Sequence, residues 1–514
     1  MDNGPLVLGT IGLYLITHVV IRLALSPSLG IDDAEQILFA QHWALGYRFR
    51  QPPFFTWLLL PVVELLGPGV LAVSIVRYGL LAVTYLFLYL TACLWIGDRR
   101  LAALSVFSFS LIYVFAYYAH HDLTHTTALG AMIALSFYAF ARLVMRPSLG
   151  SYLLLGLCFG LGMLAKWNFA MLAIGLPLTC LVLREQRHLV LTWKIFSAVA
   201  VMGMLVAPTA RWMFDLGQSV DGVADNILNG AEPLGKAELL LRGGTALMMS
   251  VAVFPLPFLV VFLAVFAADL IGGRRSDDSA VTRGIGAAFL GWFMVITIGL
   301  HAVLIPVFGA VNFTERWMHP VLMILPIFLF AVLEKQRPSS RAMALYLGII
   351  GIMVAVVVGT RLYRHALGAD ACGSCRDLTP FTELAADLES AGFKRGTIVA
   401  HGMHVGGNLK MLFPDSRLID PAFPLAVWPI VDDEQAVGDG QCLLVWRADL
   451  DWRDDRPDAP ARRERVLQFA VRQFGMSPTA ERRTGRVEAA MYGSSTRRYA
   501  LGYELTRENA GGCR

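Results

Sequence analysis

Apolar runs long enough to cross a bilayer recur from the amino terminus to about Gly359, and no other property of this chain restricts its fold as much. A helix of about 20 apolar residues spans the hydrocarbon core. Inside lipid the main chain must satisfy its own polar groups, so such runs have to be helical. The composition agrees, with 56% hydrophobic residues and only 16% charged ones. Eleven spans are predicted, at roughly 5–26, 69–96, 101–119, 123–144, 151–166, 168–183, 195–210, 244–271, 285–307, 317–333 and 342–360. Three of these runs are short for a span. The first is predicted to be an uncleaved helix, because residues 1–4 carry no Lys or Arg and the run from Pro5 to Leu25 is long for a signal core.

The connecting segments set an orientation. GDRR (97–100), RLVMRP (142–147), REQRHLVLTWK (184–194), GGRRSDDSAVTR (272–283) and EKQRPSSR (334–341) are all basic. With eleven spans they fall on one side, which the positive-inside rule makes cytoplasmic. The segments 27–68, 120–122, 211–243 and 308–316 then face outward, with everything after Arg361. That tail is richer in charge and has no membrane-length run. Helices are predicted at 385–393 and 464–475, and strands at 396–402, 416–420, 442–446 and near 487–505. The expected organisation is an α-helical polytopic membrane region, 1–360, followed by a soluble α/β domain, 361–514, on the outer face of the membrane. The net charge of +4 includes no Lys- or Arg-rich block of the kind that binds nucleic acid.

The chemistry concentrates between the first two spans, in GIDDAEQILFAQHWALGYRFRQPPFFTWLLL (30–60). Charge beside hydrocarbon is costly unless paired or used. Asp32 and Asp33 are neighbours, so their side chains point in different directions. One can face a substrate while the other is held by a cation or a helix start. A carboxylate here can take a proton from an acceptor hydroxyl. Arg48 and Arg50 can make bidentate contacts to a phosphate. The plainer alternative is that Asp32 only caps the following helix.

This stretch resembles the bacterial branch of the GT-C glycosyltransferases, the group with protein O-mannosyltransferases and the lipid A aminoarabinose transferase. Members commonly show D-E-A-Y-Y-W-L-W-A-Q-x-L-A-L-G-Y-x-x-H/K-P-P-L-x-x-W. The matching residues here are Asp32-Asp33-Ala34, Phe39-Ala40-Gln41, Ala44-Leu45-Gly46-Tyr47, Pro52-Pro53 and Trp57. Weaker matches follow in LGLCFGLGMLAKWN, which contains Lys166, and in NFTERWMHPVLMILP (312–326). GGNLKMLFPDSRLI (406–419) resembles the tail of the envelope galacturonosyltransferases of this group. The resemblance implies a polyprenyl-phosphate-linked sugar as donor, an envelope glycolipid or glycan as acceptor, and inverting transfer on the outer face. It places Asp32 as the base and Asp33 where Glu is usual. Gln51 stands where Lys or His often precedes Pro-Pro, which leaves a phosphate contact to Arg48 or Arg50. Asp122 sits where members often have a Pro-Asp-x-Pro turn, although the prolines are missing. No cofactor is expected; a divalent metal stays open.

Other residues carry paired readings. His121-Asp122-x-x-His125 has the spacing of a zinc-protease motif with Asp for Glu, against histidines solvated at the membrane rim. Lys166 is either a phosphate contact or a snorkelling lysine. Arg316 is a further phosphate candidate, while Tyr47, His121, Trp317 and His319 are candidates for the substrate pocket. Trp317 also suits an aromatic belt. Cys372 and Cys375 are placed to close a small disulfide loop. The rival class is a lipid or glycan transporter without catalysis. Against it, the acids lie in an outer loop rather than mid-span, and no related halves are visible.

Overall fold

The computed structural model describes residues 3–216, 235–272, 286–371, 376–423, 441–448, 459–476, 481–506 and 513. Cys372 and Cys375 lie outside them, as does most of the polar segment 211–243. The chain starts with α1 (Gly4–Leu25), then forms two shorter helices, α2 (Ile31–Phe39) and α3 (Phe54–Leu66), before the long α4 (Val70–Trp95). There follow α5 (Arg99–Phe107), α6 (Tyr113–Ala116), α7 (Thr124–Met145), α8 (Leu149–Ala165), α9 (Ala170–Val182) and α10 (Ile195–Asp215). The membrane region closes with α11 (Lys236–Val253), α12 (Leu256–Gly272), α13 (Ala287–Phe308), α14 (His319–Leu322), α15 (Leu325–Glu334) and α16 (Ser340–Leu367).

Every one of the eleven predicted runs is helical, but they are not equivalent. Six single helices, α1, α4, α7, α10, α13 and α16, are long and apolar enough to cross a membrane. Three more runs are pairs bent by 78°, 51° and 45°, so up to nine spans qualify among the described residues. Proline accounts for two of the bends, because it cannot donate a main-chain hydrogen bond. Pro255 stands in the break between α11 and α12, and Pro326 is at the start of α15. The runs 151–166 and 168–183 became α8, of 17 residues, and a segment at Trp167–Val182. At 1.5 Å per residue these fall short of a full crossing. The helix α3 was not predicted at all. Its FFTWLLLPVVELL is apolar, yet it lies within the connection between the first two long helices.

After α16 come α17 (Phe381–Ser390), β1 (Gly396–Ala400), α18 (Met403–Leu412), β2 (Arg417–Ile419), β3 (Gln441–Arg447), α19 (Ala459–Phe474), β4 (Arg482–Ala490) and β5 (Arg498–Thr506). They form one sheet of order β2-β1-β3-β5-β4. The β1 strand runs parallel to β2 and β3, whereas β3–β5 and β4–β5 are antiparallel. Among the described residues Cys442 of β3 and Cys513 form a disulfide, a pairing the spacing gave no means to select.

The sheet domain and the membrane region share a core. Leu38, Phe39 and Tyr47 of the first connection are buried with Phe381, Leu409 and Leu418 of the tail. Helix α18 lies against α2 at a point where only glycine fits. A Cβ on Gly407 would stand 2.0 Å from the carbonyl oxygen of Ala34, and one on Gly406 2.9 Å from Leu418. Side chains bolt the contact. Asn408 accepts from the Leu29 amide at 2.9 Å, and Gln41 bonds both the amide and the carbonyl of Leu418 at 2.9 Å. Ser28 donates to the Thr379 carbonyl at 2.6 Å.

Candidate active site

Glycine at position 30 opens α2, so Asp32 and Asp33 occupy its first turn, where carboxylates are favoured by the helix dipole. One residue of helical rotation then separates them. Asp33 is 1% exposed and is ion-paired with Arg77 of α4, itself fully buried; Arg22 of α1 stands 3.8 Å away. Arg22 also donates to the carbonyls of Ser26 and Ser28 at 3.0 and 2.9 Å, which fixes the exit of α1. Asp33 was expected among the catalytic acids. Its carboxylate is instead committed to two guanidiniums inside the protein. Neither Arg22 nor Arg77 was singled out from the sequence, although an arginine inside each apolar run was the available signal.

Asp32 turns the other way and meets Asp122. Its amide donates to Asp122 Oδ1 at 3.1 Å, and its own Oδ2 accepts the Leu123 amide at 3.1 Å. Leu123 adopts a left-handed conformation with φ of 73°, rare for a branched side chain. Such a geometry costs on the order of 1–3 kcal/mol and persists where surroundings enforce it. Here it aims the amide at Asp32. Among the described residues Asp32 Oδ1 accepts no hydrogen bond. Burial raises the Asp32 carboxyl above the usual range, with Asp33 adding to the effect, while Arg316, Lys166 and Arg77 oppose it. Asp122 is pushed well above the usual range by burial and then by Asp32 and Asp33. Two carboxyls this close do not both ionise freely.

The cations divide into two sets. Lys166, in the turn between α8 and α9, donates to Thr126 at 3.0 Å. Arg316 is exposed, lies 5.7 Å from the centre of the Tyr118 ring and stands 3.7 Å from Glu315. These two act on Asp32. Arg48 instead pairs with buried Glu35 and lies 6.0 Å from the centre of the Phe423 ring of the tail. Burial lifts Glu35 to about 7 against the pull of Arg48. Arg50 is exposed at the edge of the loop, and Gln51 Oε1 is buried without a hydrogen-bond partner.

The pocket candidates separate as well. Tyr47 is buried; its hydroxyl donates to the His42 carbonyl and accepts the Ala44 amide, so it holds the loop together. Gly46 beside it admits the Trp212 ring, which a Cβ would meet at 2.4 Å. Trp57, Trp167 and Thr209 donate to the carbonyls of Ala44, Phe49 and Leu45 at 2.8, 3.0 and 2.8 Å. The irregular loop thus finds main-chain partners on α3, α10 and the turn before α9. His319 is buried between Phe115 and Phe254, and Trp317 packs on Phe313. His121 stands 3.8 Å from Asp377, while His125 bonds Gln36 at 2.9 Å. His121 precedes the start of α7, so the helical spacing that suggested a zinc motif does not apply. Among the described residues no group of three or more His, Cys, Asp or Glu side chains is arranged to hold a metal ion.

A bundle of membrane helices carrying a paired acid on its first connection, with a mixed sheet domain docked on that connection, is the architecture of a GT-C membrane glycosyltransferase. The structure superposes on ArnT from Cupriavidus metallidurans in the apo state with a TM-score of 0.57 at 15% identity, covering 96% of this chain and 98% of that one. Against the same protein bound to undecaprenyl phosphate the TM-score is 0.56 at 12% identity, with 96% and 97% coverage. Residues 50–212 match the family model described as dolichyl-phosphate-mannose-protein mannosyltransferase. The lipopolysaccharide core galacturonosyltransferase RgtA of Rhizobium johnstonii is 30% identical over 439 residues, 84% of this chain and 85% of that protein. RgtB of the same organism is 29% identical over 413 residues, 80% and 82%. The chain belongs to this family of multi-pass membrane glycosyltransferases, alongside the lipopolysaccharide core galacturonosyltransferases.

Proposed function

We propose that this enzyme transfers a galacturonosyl residue from a polyprenyl-phosphate donor to a hydroxyl of the lipopolysaccharide core or lipid A, with inversion, on the periplasmic face. The observation that carries the reading is the contrast at the start of α2, where Asp33 is tied to Arg77 and Asp32 keeps one oxygen unbonded beside Asp122. The sugar and acceptor follow the two Rhizobium relatives, and the donor follows the lipid on which ArnT was solved.

In this mechanism Asp32 Oδ1 takes the proton of the acceptor hydroxyl. The acceptor oxygen forms a bond to the anomeric carbon as the bond from that carbon to the phosphate oxygen breaks. The electron pair leaves with the polyprenyl phosphate, which Lys166 and Arg316 receive as cations. Asp122 carries the proton that the crowded pair retains, so that Asp32 is the ionised partner. Asp33, Arg22 and Arg77 are positioning residues that fix the first turn of α2. Arg48 holds Glu35, which leaves Arg50 as the loop arginine able to reach a ligand. We assign 1–360 as the membrane catalytic region and 361–514 as the periplasmic domain. The Cys442–Cys513 disulfide supports an oxidising compartment for that domain, and the basic loops support a cytoplasmic location for the opposite side.

The test is mass spectrometry of envelope glycolipids from cells with and without the protein, and with Asp32→Asn. A difference of one hexuronic acid that vanishes in the deletion and in the variant is the expected outcome. Unchanged glycolipid in the deletion, or full transfer by a well-inserted variant, would remove the proposal.

A further inference from the structure

One buried charge plays no part in that chemistry. Arg361 lies near the end of α16, is 6% exposed, and has no carboxylate partner among the described residues. Its guanidinium donates to His18 Nδ1 at 2.7 Å and to the His120 carbonyl at 3.1 Å, both neutral acceptors. Arginine has no acceptor, so His18 Nδ1 carries no proton and the ring hydrogen sits on Nε2. That Nε2 is buried and unpartnered. The His18 ring stacks on His120 at 3.7 Å between centroids, and Tyr14 bonds His120 at 2.7 Å. A buried cation without an anion costs several kcal/mol, and at membrane depth an ionisable side chain marks a site by default.

Two spaces meet at this cluster. On its outer side Arg361 lines a small cavity with Arg22, Tyr117, Arg364 and His121. Asp377 is the acidic residue among those lining it, against three arginines. Its volume is about 40 Å³, room for about three waters, or for one phosphate-sized group. On the other side His18 and Tyr85 head an apolar groove of about 420 Å³ between α1 and α16, walled by Ile11, Leu347, Ile350 and Val354. The outer faces of both helices expose Leu13, Ile16, Ile352 and Val356 to the bilayer. The cationic cavity and the apolar groove therefore stand one above the other along the same two helices, with the Arg361–His18 contact between them. These cations are a different set from Lys166 and Arg316, which act on Asp32.

We propose that the α1–α16 face binds a phosphate-bearing glycerolipid of the surrounding bilayer, with the phosphate at Arg361 beside Arg22 and Arg364 and an acyl chain along the groove. The lipid supplies the anion that Arg361 lacks, and its chain fills space that protein side chains leave open. This site goes beyond the transfer reaction and does not depend on it. Bound lipid here braces α1, whose Arg22 holds the exit towards α2.

The test uses the full-length protein, delipidated in detergent and titrated with dioleoylphosphatidylglycerol or dioleoylphosphatidylcholine under native mass spectrometry. The expected result is retention of the anionic lipid about fivefold or more above the zwitterionic one. Arg361→Gln should abolish that preference. Gly351 lines the groove and a Cβ there meets nothing within 4 Å, so Gly351→Leu starts from open space, projects into the groove and should weaken both lipids. Asp32→Asn should bind lipid normally, which separates this proposal from the catalytic one. Equal retention of the two lipids, an unchanged preference in Arg361→Gln, or displacement of the glycerolipid by undecaprenyl phosphate would overturn it.

Discussion

Two sides of one helical turn behave as different materials. On the Asp33 side the carboxylate is sealed among Arg77 and Arg22, three elements meet, and nothing is open to a ligand. On the Asp32 side the carboxylate is half-buried, crowded by a second acid, and feels Arg316 and Lys166, neither of which is locked against it in a direct ion pair. The residues are adjacent and chemically identical. About 100° of helical rotation per residue sends one into the scaffold and turns the other toward Asp122, where the proposed mechanism needs it. The difference teaches that an acidic pair at a helix start can divide placement from proton transfer.

Five measurements press on this contrast. The largest effect belongs to Asp32→Asn, which should lower kcat by about 10²–10⁴-fold, the usual worth of a general base, without moving the unfolding temperature. Equal loss from Asp33→Asn with normal stability would break the division of labour. Next, Arg77→Met removes the direct partner of buried Asp33, leaving it only Arg22 at 3.8 Å, and should destabilise the protein by about 3–5 kcal/mol in detergent unfolding. The double variant Asp33→Asn/Arg77→Met should lose less than Arg77→Met alone, because no buried carboxylate is left without its direct partner, while Arg22 keeps its bonds to the carbonyls of Ser26 and Ser28. Third, Glu35 is raised by burial from 4.5 to about 7. Its folded form holds the proton more tightly than the unfolded chain, so its contribution to stability is full below 4.5 and is lost as pH rises through 7. The loss is on the order of 3 kcal/mol, and Glu35→Gln should flatten the stability profile across that window. Fourth, Gly407→Ala forces α18 away from α2 and should cost about 1–3 kcal/mol, with reduced turnover as the carrier of Asp32 shifts. The smallest effect is expected for exposed Arg50→Ala, within about 0.5 kcal/mol of wild-type stability. Its KM for the lipid donor should rise a few-fold, and an unchanged KM would remove Arg50 from the site.

Much of the architecture was legible because membrane helices write their periodicity in composition, and all eleven apolar runs proved helical. Span length was harder to read, since α8 and α9 look as apolar as the longer helices and differ only by a few residues and a turn at Lys166. Most of the tail's strands appear in the sequence as short apolar stretches, whereas β4, RRTGRVEAA, shows only its last residues. The helix Met403–Leu412 was hidden, because its Gly406-Gly407 pair lowers helical propensity in exchange for close approach to Ala34. At the site, the first loop drew attention to Asp32 and Asp33 from residues alone, and the family resemblance added Asp122. The roles of Arg77 and Arg22 depend on contacts between helices far apart in sequence, which no local pattern encodes. Tyr47 and His319 are polar residues of a recognisable motif, and their burial, against Phe39 and between Phe115 and Phe254 respectively, depends on tertiary packing that no local pattern encodes.

The Gly407–Ala34 contact reaches further than packing. The helix that carries the proposed base is pressed from above by a water-soluble fold and held from below by an intramembrane arginine, so neither half of the polypeptide owns the first turn of α2. Any attempt to shorten the protein to its lipid-embedded portion would release one jaw of that vice, and exchange of tails between cousins should succeed only where the donor brings its own paired glycines.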